Sequence, residues 1–148
     1  MHLLEIGTKA PKFNLESSSG GKLSSDDLIG HNTVVVFYPR NNTPGCNIQL
    51  ANLEKSRLAF EKVNTRVLAI NSATVESHQK FCTKKKFNFP ILSDPDEKVL
   101  AQFKAQKEKG KGVIRTVYAI DKDGNIVSAK RGMGDFRELL KLFKESPN

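Results

Sequence analysis

A buried strand that leads directly into a cysteine-bearing helix start constrains this chain more than any other feature. Residues 34–38 read Val-Val-Val-Phe-Tyr, a continuously apolar and largely β-branched run that is typical of a strand covered on both faces. Residues 43–46 read Thr-Pro-Gly-Cys. Threonine is a favoured N-cap, and proline fits the first position of a helix. The sequence therefore predicts a strand, a tight turn and a helix with a cysteine in its first turn.

The predicted position of Cys46 gives its sulfur a special environment. We expect Thr43 to cap the helix, with its hydroxyl oxygen accepting from a free backbone N–H group. Cys46 then lies among unpaired N–H groups at the positive end of the helix dipole, and this placement favours thiolate over thiol. Because the thiolate is the reactive form of cysteine, a reactive cysteine is a better interpretation of Cys46 than a packing cysteine.

The periodicities of the remaining chain predict an α/β domain. We expect an N-terminal hairpin and then a short helix for which Ser24 and Asp27 form a capping box. The predicted strands cover residues 34–38, 66–70, 90–92, 115–120 and 125–130, and the predicted helices cover residues 46–62, 74–86, 94–103 and 135–145. This order favours a single domain over residues 1–148, with a thioredoxin-like fold: a central mixed β-sheet, helices on both faces and an N-terminal β-hairpin.

Charge and hydropathy limit the function classes. Lysine and arginine outnumber aspartate and glutamate by 24 to 16, which gives a net charge of +8. The basic residues are dispersed, and the denser stretches at 84–86 and 104–111 contain no aromatic residues. We interpret them as solvated surface and predict no nucleic-acid partner. No apolar run approaches the roughly 20 residues of a membrane span, and the N-terminus lacks the apolar region of a secretory signal. We therefore expect a cytoplasmic protein that has no membrane partner.

The segment around the cysteine resembles a known family. Residues 37–46 resemble the active-site motif of peroxiredoxins, in which a proline, three residues, a threonine, two residues and the cysteine follow one another. The Thr-Pro-Gly-Cys form is similar to the bacterioferritin comigratory protein, or peroxiredoxin Q, subgroup. Residues 91–94 and 115–124 continue the similarity in the same order. The resemblance implies an antioxidant oxidoreductase that reduces hydrogen peroxide and organic hydroperoxides with the help of a thiol and without a cofactor.

The resemblance also implies a role for individual residues. Cys46 matches the peroxidatic cysteine, whose oxidation product would be a sulfenic acid. Pro39 would shield the thiolate, and the hydroxyl of Thr43 would form a hydrogen bond near it. Arg115 would supply positive charge from the facing strand.

Two positions depart from the subgroup. Many members carry a resolving cysteine five residues after the peroxidatic one, where this chain has Ala51. A smaller set places it on the following helix, and Cys82, 36 residues after Cys46, fits that pattern. The resemblance thus implies an intramolecular disulfide between Cys46 and Cys82, recycled by thioredoxin or another dithiol reductant. We expect one or both helices to unwind before the sulfurs meet. Gln49 stands where the subgroup usually has a glutamate that orients the arginine.

Three other functions remain open from the sequence. A one-cysteine peroxidase would be recycled by an external thiol and would not need Cys82. A thioredoxin-type disulfide oxidoreductase would need a Cys-x-x-Cys pair, and Cys46 is not part of one. A basic binding module would tolerate replacement of Cys46 and would show steeply salt-dependent binding.

Other candidate ligand residues are interpreted as structural. His78 precedes Cys82 by four residues on one predicted helical face, but two ligands make a poor zinc site, and we expect a surface histidine. Asp94, Asp96 and Glu97 are expected to form a helix-start cluster. We predict no metal site, and we expect a monomer.

Overall fold

A seven-stranded sheet lies at the centre of the computed structural model, which describes residues 2–108 and 111–145. The strands are β1 (Asn14–Ser17), β2 (Lys22–Ser24), β3 (Asn32–Phe37), β4 (Thr65–Asn71), β5 (Ile91–Ser93), β6 (Thr116–Ile120) and β7 (Ile126–Arg131). The α-helices are α1 (Pro44–Glu61), α2 (Val75–Lys85), α3 (Lys98–Gln102) and α4 (Phe136–Glu145), and a 3-10 helix covers Ser25–Leu28. The 3-10 helix carries the predicted capping box of Ser24 and Asp27. The order and type of the predicted elements are confirmed.

The sheet mixes parallel and antiparallel pairs. Its strand order is β2-β1-β5-β4-β3-β6-β7. β4 is parallel to both β3 and β5, whereas the β1–β2, β1–β5, β3–β6 and β6–β7 pairs are antiparallel. The N-terminal hairpin therefore extends one edge of the sheet, and β7 closes the other.

The central strand β3 serves two hydrophobic cores at once. Successive side chains of a strand point to opposite faces, and every residue of β3 is buried. Val34 and Val36 pack with residues of α1, α2 and α4, whereas Val35 and Phe37 pack with residues of α3 and the N-terminal segment. This arrangement explains the unbroken apolar run and confirms the predicted helices on both faces.

The acidic cluster before α3 begins a shorter helix than the predicted 94–103. Glu97 has a left-handed backbone with φ 61°, which interrupts helical geometry, so α3 starts at Lys98. The Asp94 carboxylate accepts from the N–H of Leu100 at 2.8 Å, and that of Asp96 accepts from the N–H of Lys98 at 3.2 Å. Both carboxylates thus bind the helix start, as the sequence predicts.

The described part of the chain has neither a metal-binding cluster nor a membrane-spanning helix. Within residues 2–108 and 111–145, no group of three or more histidine, cysteine, aspartate or glutamate side chains is arranged to hold a metal ion. In the same part of the chain, no helix has both the length and the apolar character to cross a membrane.

Strand pairing determines which residues meet Cys46. Phe37, at the end of β3, pairs with Thr116, at the start of β6. Because these strands are antiparallel, Arg115 lies beside the β3–α1 loop (residues 38–43), which leads into the helix that carries Cys46. A long-range pairing therefore brings together two side chains that are far apart in sequence.

Candidate active site

Cys46 lies in the first turn of α1, as predicted. The helix begins at Pro44 with Thr43 as N-cap, and its first backbone hydrogen bond runs from Asn47 N–H to the Thr43 carbonyl at 2.8 Å. The N–H of Cys46 precedes that bond, so it belongs to the donors that a helix leaves without an intrahelical partner. The side chain is only 1% exposed, which places the sulfur under the helix start rather than on the open surface.

Thr43 caps the helix by its position and not by its hydroxyl. Its backbone is extended, with φ −114° and ψ 153°, and its side chain makes no capping hydrogen bond. The hydroxyl instead donates to the carbonyl of Arg40 at 3.3 Å. The predicted hydroxyl-to-helix bond is wrong because the side chain turns back across the β3–α1 loop. The Thr43 hydroxyl therefore does not compete for the N–H groups of the helix start.

The guanidinium of Arg115 contacts the cysteine sulfur directly. Its Nη2 donates to Cys46 Sγ at 3.4 Å, and its Nη1 donates to Gln49 Oε1 at 2.6 Å. A cation at this distance and the helix N-terminus both stabilise negative charge on the sulfur. The contact places Arg115 beside Cys46, where the family resemblance led us to expect it.

Gln49 orients Arg115 although it carries no charge. This side chain is 1% exposed. Its Oε1 accepts from the guanidinium, and its Nε2 donates to the backbone carbonyl of Met133 at 2.8 Å. An amide can satisfy a donor on one side and an acceptor on the other, whereas a carboxylate has only acceptors. The facing carbonyl explains why glutamine suits this position.

Replacing Gln49 by glutamate is therefore expected to destabilise the protein. In Gln49→Glu a carboxylate oxygen faces the Met133 carbonyl, and a buried acceptor loses its donor at a cost of about 1–3 kcal/mol. Urea unfolding of the reduced protein measures the loss. Asn52→Asp, the same chemical change at an exposed position of α1, is the matched control and should stay within about 0.5 kcal/mol. A Gln49→Glu variant as stable as the parent protein contradicts this account.

Cys82 lies on α2, as predicted, and is half-buried. Its thiol donates to the hydroxyl of Ser18, in the β1–β2 turn, with a sulfur–oxygen distance of 3.7 Å. Burial raises the pKa of the Cys82 thiol, the Ser18 hydrogen bond lowers it, and nearby Glu54 raises it. Cys46 and Cys82 are both free in this structure.

His78 is fully buried, which contradicts the prediction of a surface histidine. Its exposure is 0%, and its Nδ1 lies 3.0 Å from the Asn41 side-chain nitrogen. Burial lowers the pKa of His78 to about 4, and the nearby backbone carbonyl of Leu92 offsets only part of this shift. The ring is thus neutral at pH 7, and Nδ1 accepts from Asn41. The prediction is wrong because a polar helix face packs against a polar loop, and hydrogen bonds replace apolar contacts there.

The remaining motif residue, Pro39, lies in the β3–α1 loop. It is exposed and therefore not part of the core. The sequence interpretation missed Asn41, in the same loop. Its only sequence signal is a polar residue two positions after Pro39, which follows the strand, and many solvent-exposed turns share that pattern.

Comparison with known proteins decides the family. The model of the AhpC/TSA family matches residues 6–129. The chain belongs to this family. Peroxiredoxin Bcp of Escherichia coli K12 is 36% identical over 132 residues, which cover 85% of each chain. The chain is thus a peroxiredoxin, an oxidoreductase that acts as a thiol-dependent peroxidase, as the motif implied.

Solved structures agree with the peroxiredoxin assignment. A Cys-to-Ser mutant of PrxQ from Xylella fastidiosa superposes with a TM-score of 0.89 at 29% identity, covering 97% of both chains. A mutant of peroxiredoxin Q from Xanthomonas campestris gives a TM-score of 0.83 at 28% identity, covering 89% of this chain and 90% of the other. These likenesses confirm the predicted thioredoxin-like fold with its N-terminal hairpin.

Proposed function

We propose that this peroxiredoxin reduces hydrogen peroxide and organic hydroperoxides through Cys46, that Cys82 resolves the product, and that a thioredoxin-type dithiol restores both thiols. The observation that carries the proposal is the contact of the Arg115 guanidinium with Cys46 Sγ at 3.4 Å, in the first turn of α1. A cation and a helix N-terminus converge there on one sulfur, which suits attack by a thiolate.

The first step is a displacement at oxygen. The Cys46 thiolate attacks one peroxide oxygen, the O–O bond breaks, and the second oxygen leaves as hydroxide or alkoxide. The sulfur is thereby oxidised to a sulfenic acid. Arg115 and the N–H groups of the helix start supply donors where negative charge develops on the oxygens.

Gly45 keeps one approach to the sulfur open. It is exposed, and a Cβ atom at this position would lie 3.3 Å from Arg115 Nη2. A larger residue would thus crowd the guanidinium from the solvent side. We assign Pro39 and Thr43 to the walls of the same approach, on the strength of their positions in the family motif.

The second step joins the two cysteines. The Cys82 thiol attacks the sulfenic sulfur of Cys46, water leaves, and a disulfide forms. Two structures of Xanthomonas campestris peroxiredoxin Q carry Cys-to-Ser substitutions at positions 36 residues apart, and Cys46 and Cys82 have the same separation. The alkyl peroxide reduction ascribed to the bacterioferritin comigratory protein of that organism supports organic hydroperoxides as substrates.

The disulfide requires local unwinding of the structure. Both cysteines lie on helices and are free thiols in the structure, so the first turn of α1, the α2 segment or both must open before the sulfurs bond. A cross-link that closes a loop of this length stabilises the oxidised form by about 4 kcal/mol through chain entropy, less the cost of unwinding.

Mass spectrometry after one equivalent of peroxide tests the two-cysteine cycle. We expect the parent protein to lose two hydrogens and to yield a Cys46–Cys82 cross-linked peptide, because the nearby thiol traps the sulfenic acid. Cys82→Ser should instead gain one oxygen on Cys46, which a sulfenic-acid reagent captures. A stable sulfenic or sulfinic adduct in the parent protein, with Cys82 still free, would refute the resolving role and leave a one-cysteine enzyme.

A further inference from the structure

The carboxamide of Asn41 uses every hydrogen bond that it can make. Its Oδ1 accepts from the hydroxyl of Tyr38 and from Asn71 Nδ2, the latter at 3.3 Å. Its Nδ2 donates to Ser77 Oγ at 2.9 Å and to His78 Nδ1 at 3.0 Å. A primary amide has two donor and two acceptor positions, so the side chain is saturated by four separate partners.

These partners connect the two segments that carry the cysteines. Ser77 and His78 lie on α2, one turn before Cys82, and Asn71 is the last residue of β4. Tyr38 is the first residue of the β3–α1 loop, which includes Asn41 itself and leads to Cys46. The carboxamide is therefore a direct link between the segment of one cysteine and the helix of the other.

Tyr38, which donates to Asn41, lies near both sulfurs. Its side chain is 0% exposed, and its ring centroid is 6.5 Å from that of Phe81, the neighbour of Cys82. Burial raises the pKa of the Tyr38 hydroxyl well above its ordinary value, and electrostatic interaction with Cys82 and with Cys46 raises it further. Both cysteines are thus within electrostatic reach of a phenol whose orientation Asn41 fixes.

We propose that Asn41 is a positioning residue that couples the β3–α1 loop to α2, so that the segments of Cys46 and Cys82 leave their folded positions together. When α2 unwinds, both donors of the carboxamide lose their partners and the loop loses its attachment to α2. When the loop opens first, Ser77 and His78 lose their hydrogen bonds from Asn41. Asn41 and Ser77 are partly buried and His78 is fully buried. Because polar groups shielded from water are costly to leave unpaired, the opening of either segment lowers the cost of opening the other.

Hydrogen exchange of the reduced full-length protein tests the coupling without any disulfide chemistry. We expect Asn41→Ala to speed exchange across residues 75–85, and Ser77→Ala to speed exchange across residues 38–47. Each effect should be about 2- to 10-fold, as for the loss of one or two partly buried hydrogen bonds. Gln79→Ala, at an exposed position of α2, should leave the loop unchanged.

If hydrogen exchange becomes faster only in the segment that carries the substitution, the proposed coupling is wrong. Ser77→Ala decides the question alone if Asn41→Ala fails to fold, because it removes only a hydroxyl from a helix. Amides of β3 and β4 should keep their protection in both variants, which separates local opening from global destabilisation.

A second measurement, which rests on the proposed function, follows the reaction itself. In quenched samples after one equivalent of peroxide, Ser77→Ala should convert the Cys46 sulfenic acid to disulfide about 2- to 10-fold faster, with the rate of sulfenic acid formation unchanged. If Ser77→Ala forms the disulfide from the sulfenic acid at the parent rate, the coupling does not control the resolution step. If no variant forms a disulfide, the two-cysteine cycle fails, and the exchange result still decides whether Asn41 couples the segments.

Discussion

Cys46→Ser is expected to abolish peroxide reduction, leaving no turnover above the uncatalysed reaction between peroxide and thiol. A serine hydroxyl has nearly the shape of the thiol, but it stays protonated at neutral pH and cannot form a sulfenic acid. The neighbouring cation and helix start then have no nucleophile to stabilise. Peroxide consumption in the presence of dithiothreitol, and again with a thioredoxin system, measures the loss.

Cys82→Ser is the matched control for this substitution, because it makes the same atomic change on α2. It should retain rapid oxidation of Cys46 by the first equivalent of peroxide and turn over with dithiothreitol, which can resolve the sulfenic acid from outside. Far-ultraviolet circular dichroism must show that both variants are folded, since Cys46 packs within a hydrophobic core. Peroxide turnover that survives Cys46→Ser in a folded protein would contradict the assignment of this residue.

The parts of the site that the sequence predicts are those governed by local rules. The Thr-Pro-Gly-Cys segment places Cys46 in the first turn of α1 because proline at the first helical position and a preceding N-cap residue act within one turn. The apolar run of β3 predicts burial on both faces by an equally local rule. Successive side chains of a strand point to opposite faces, so an unbroken apolar run makes both faces apolar whatever its neighbours are.

The errors concern side chains whose partners are distant or compete. The Thr43 hydroxyl could reach either the helix start or the Arg40 carbonyl, and the sequence does not show that it chooses the carbonyl. His78 looks like a surface residue on a polar helix, but its ring is fully buried and accepts a hydrogen bond from Asn41, 37 residues earlier. Arg115 became a candidate only through the family motif, because its contact with Cys46 depends on the pairing of β3 with β6.

The structure also changes the interpretation of Gln49, which stands where the subgroup usually has a glutamate. From the motif, a glutamine in place of a glutamate looks like the loss of a group that orients Arg115. The geometry shows that the amide still accepts from the guanidinium and, in addition, binds the Met133 carbonyl. The segment between β7 and α4 is thereby attached to the arginine, a connection that requires the three-dimensional arrangement.

Arg115→Met is expected to slow the oxidation of Cys46 by peroxide by about 10²- to 10³-fold, the usual cost of removing one preorganised donor from a site of developing charge. Methionine keeps much of the length and apolar volume of the side chain but removes the charge beside Sγ. It also removes the donor to Gln49 Oε1. The second-order rate constant for the reduced protein, measured by rapid mixing with peroxide, reports this step without contributions from Cys82 or the reductant.

Two further substitutions separate charge from geometry. Arg115→Lys keeps the positive charge but cannot donate through a rigid fork to both Sγ and Oε1, so its rate constant should fall between those of the parent protein and Arg115→Met. Arg66→Met makes the same change at an exposed position near the start of β4, at the opposite end of the parallel β3–β4 pair, and should leave the rate constant unchanged. An Arg115→Met protein that is folded and reacts as fast as the parent would show that the helix start alone activates the sulfur.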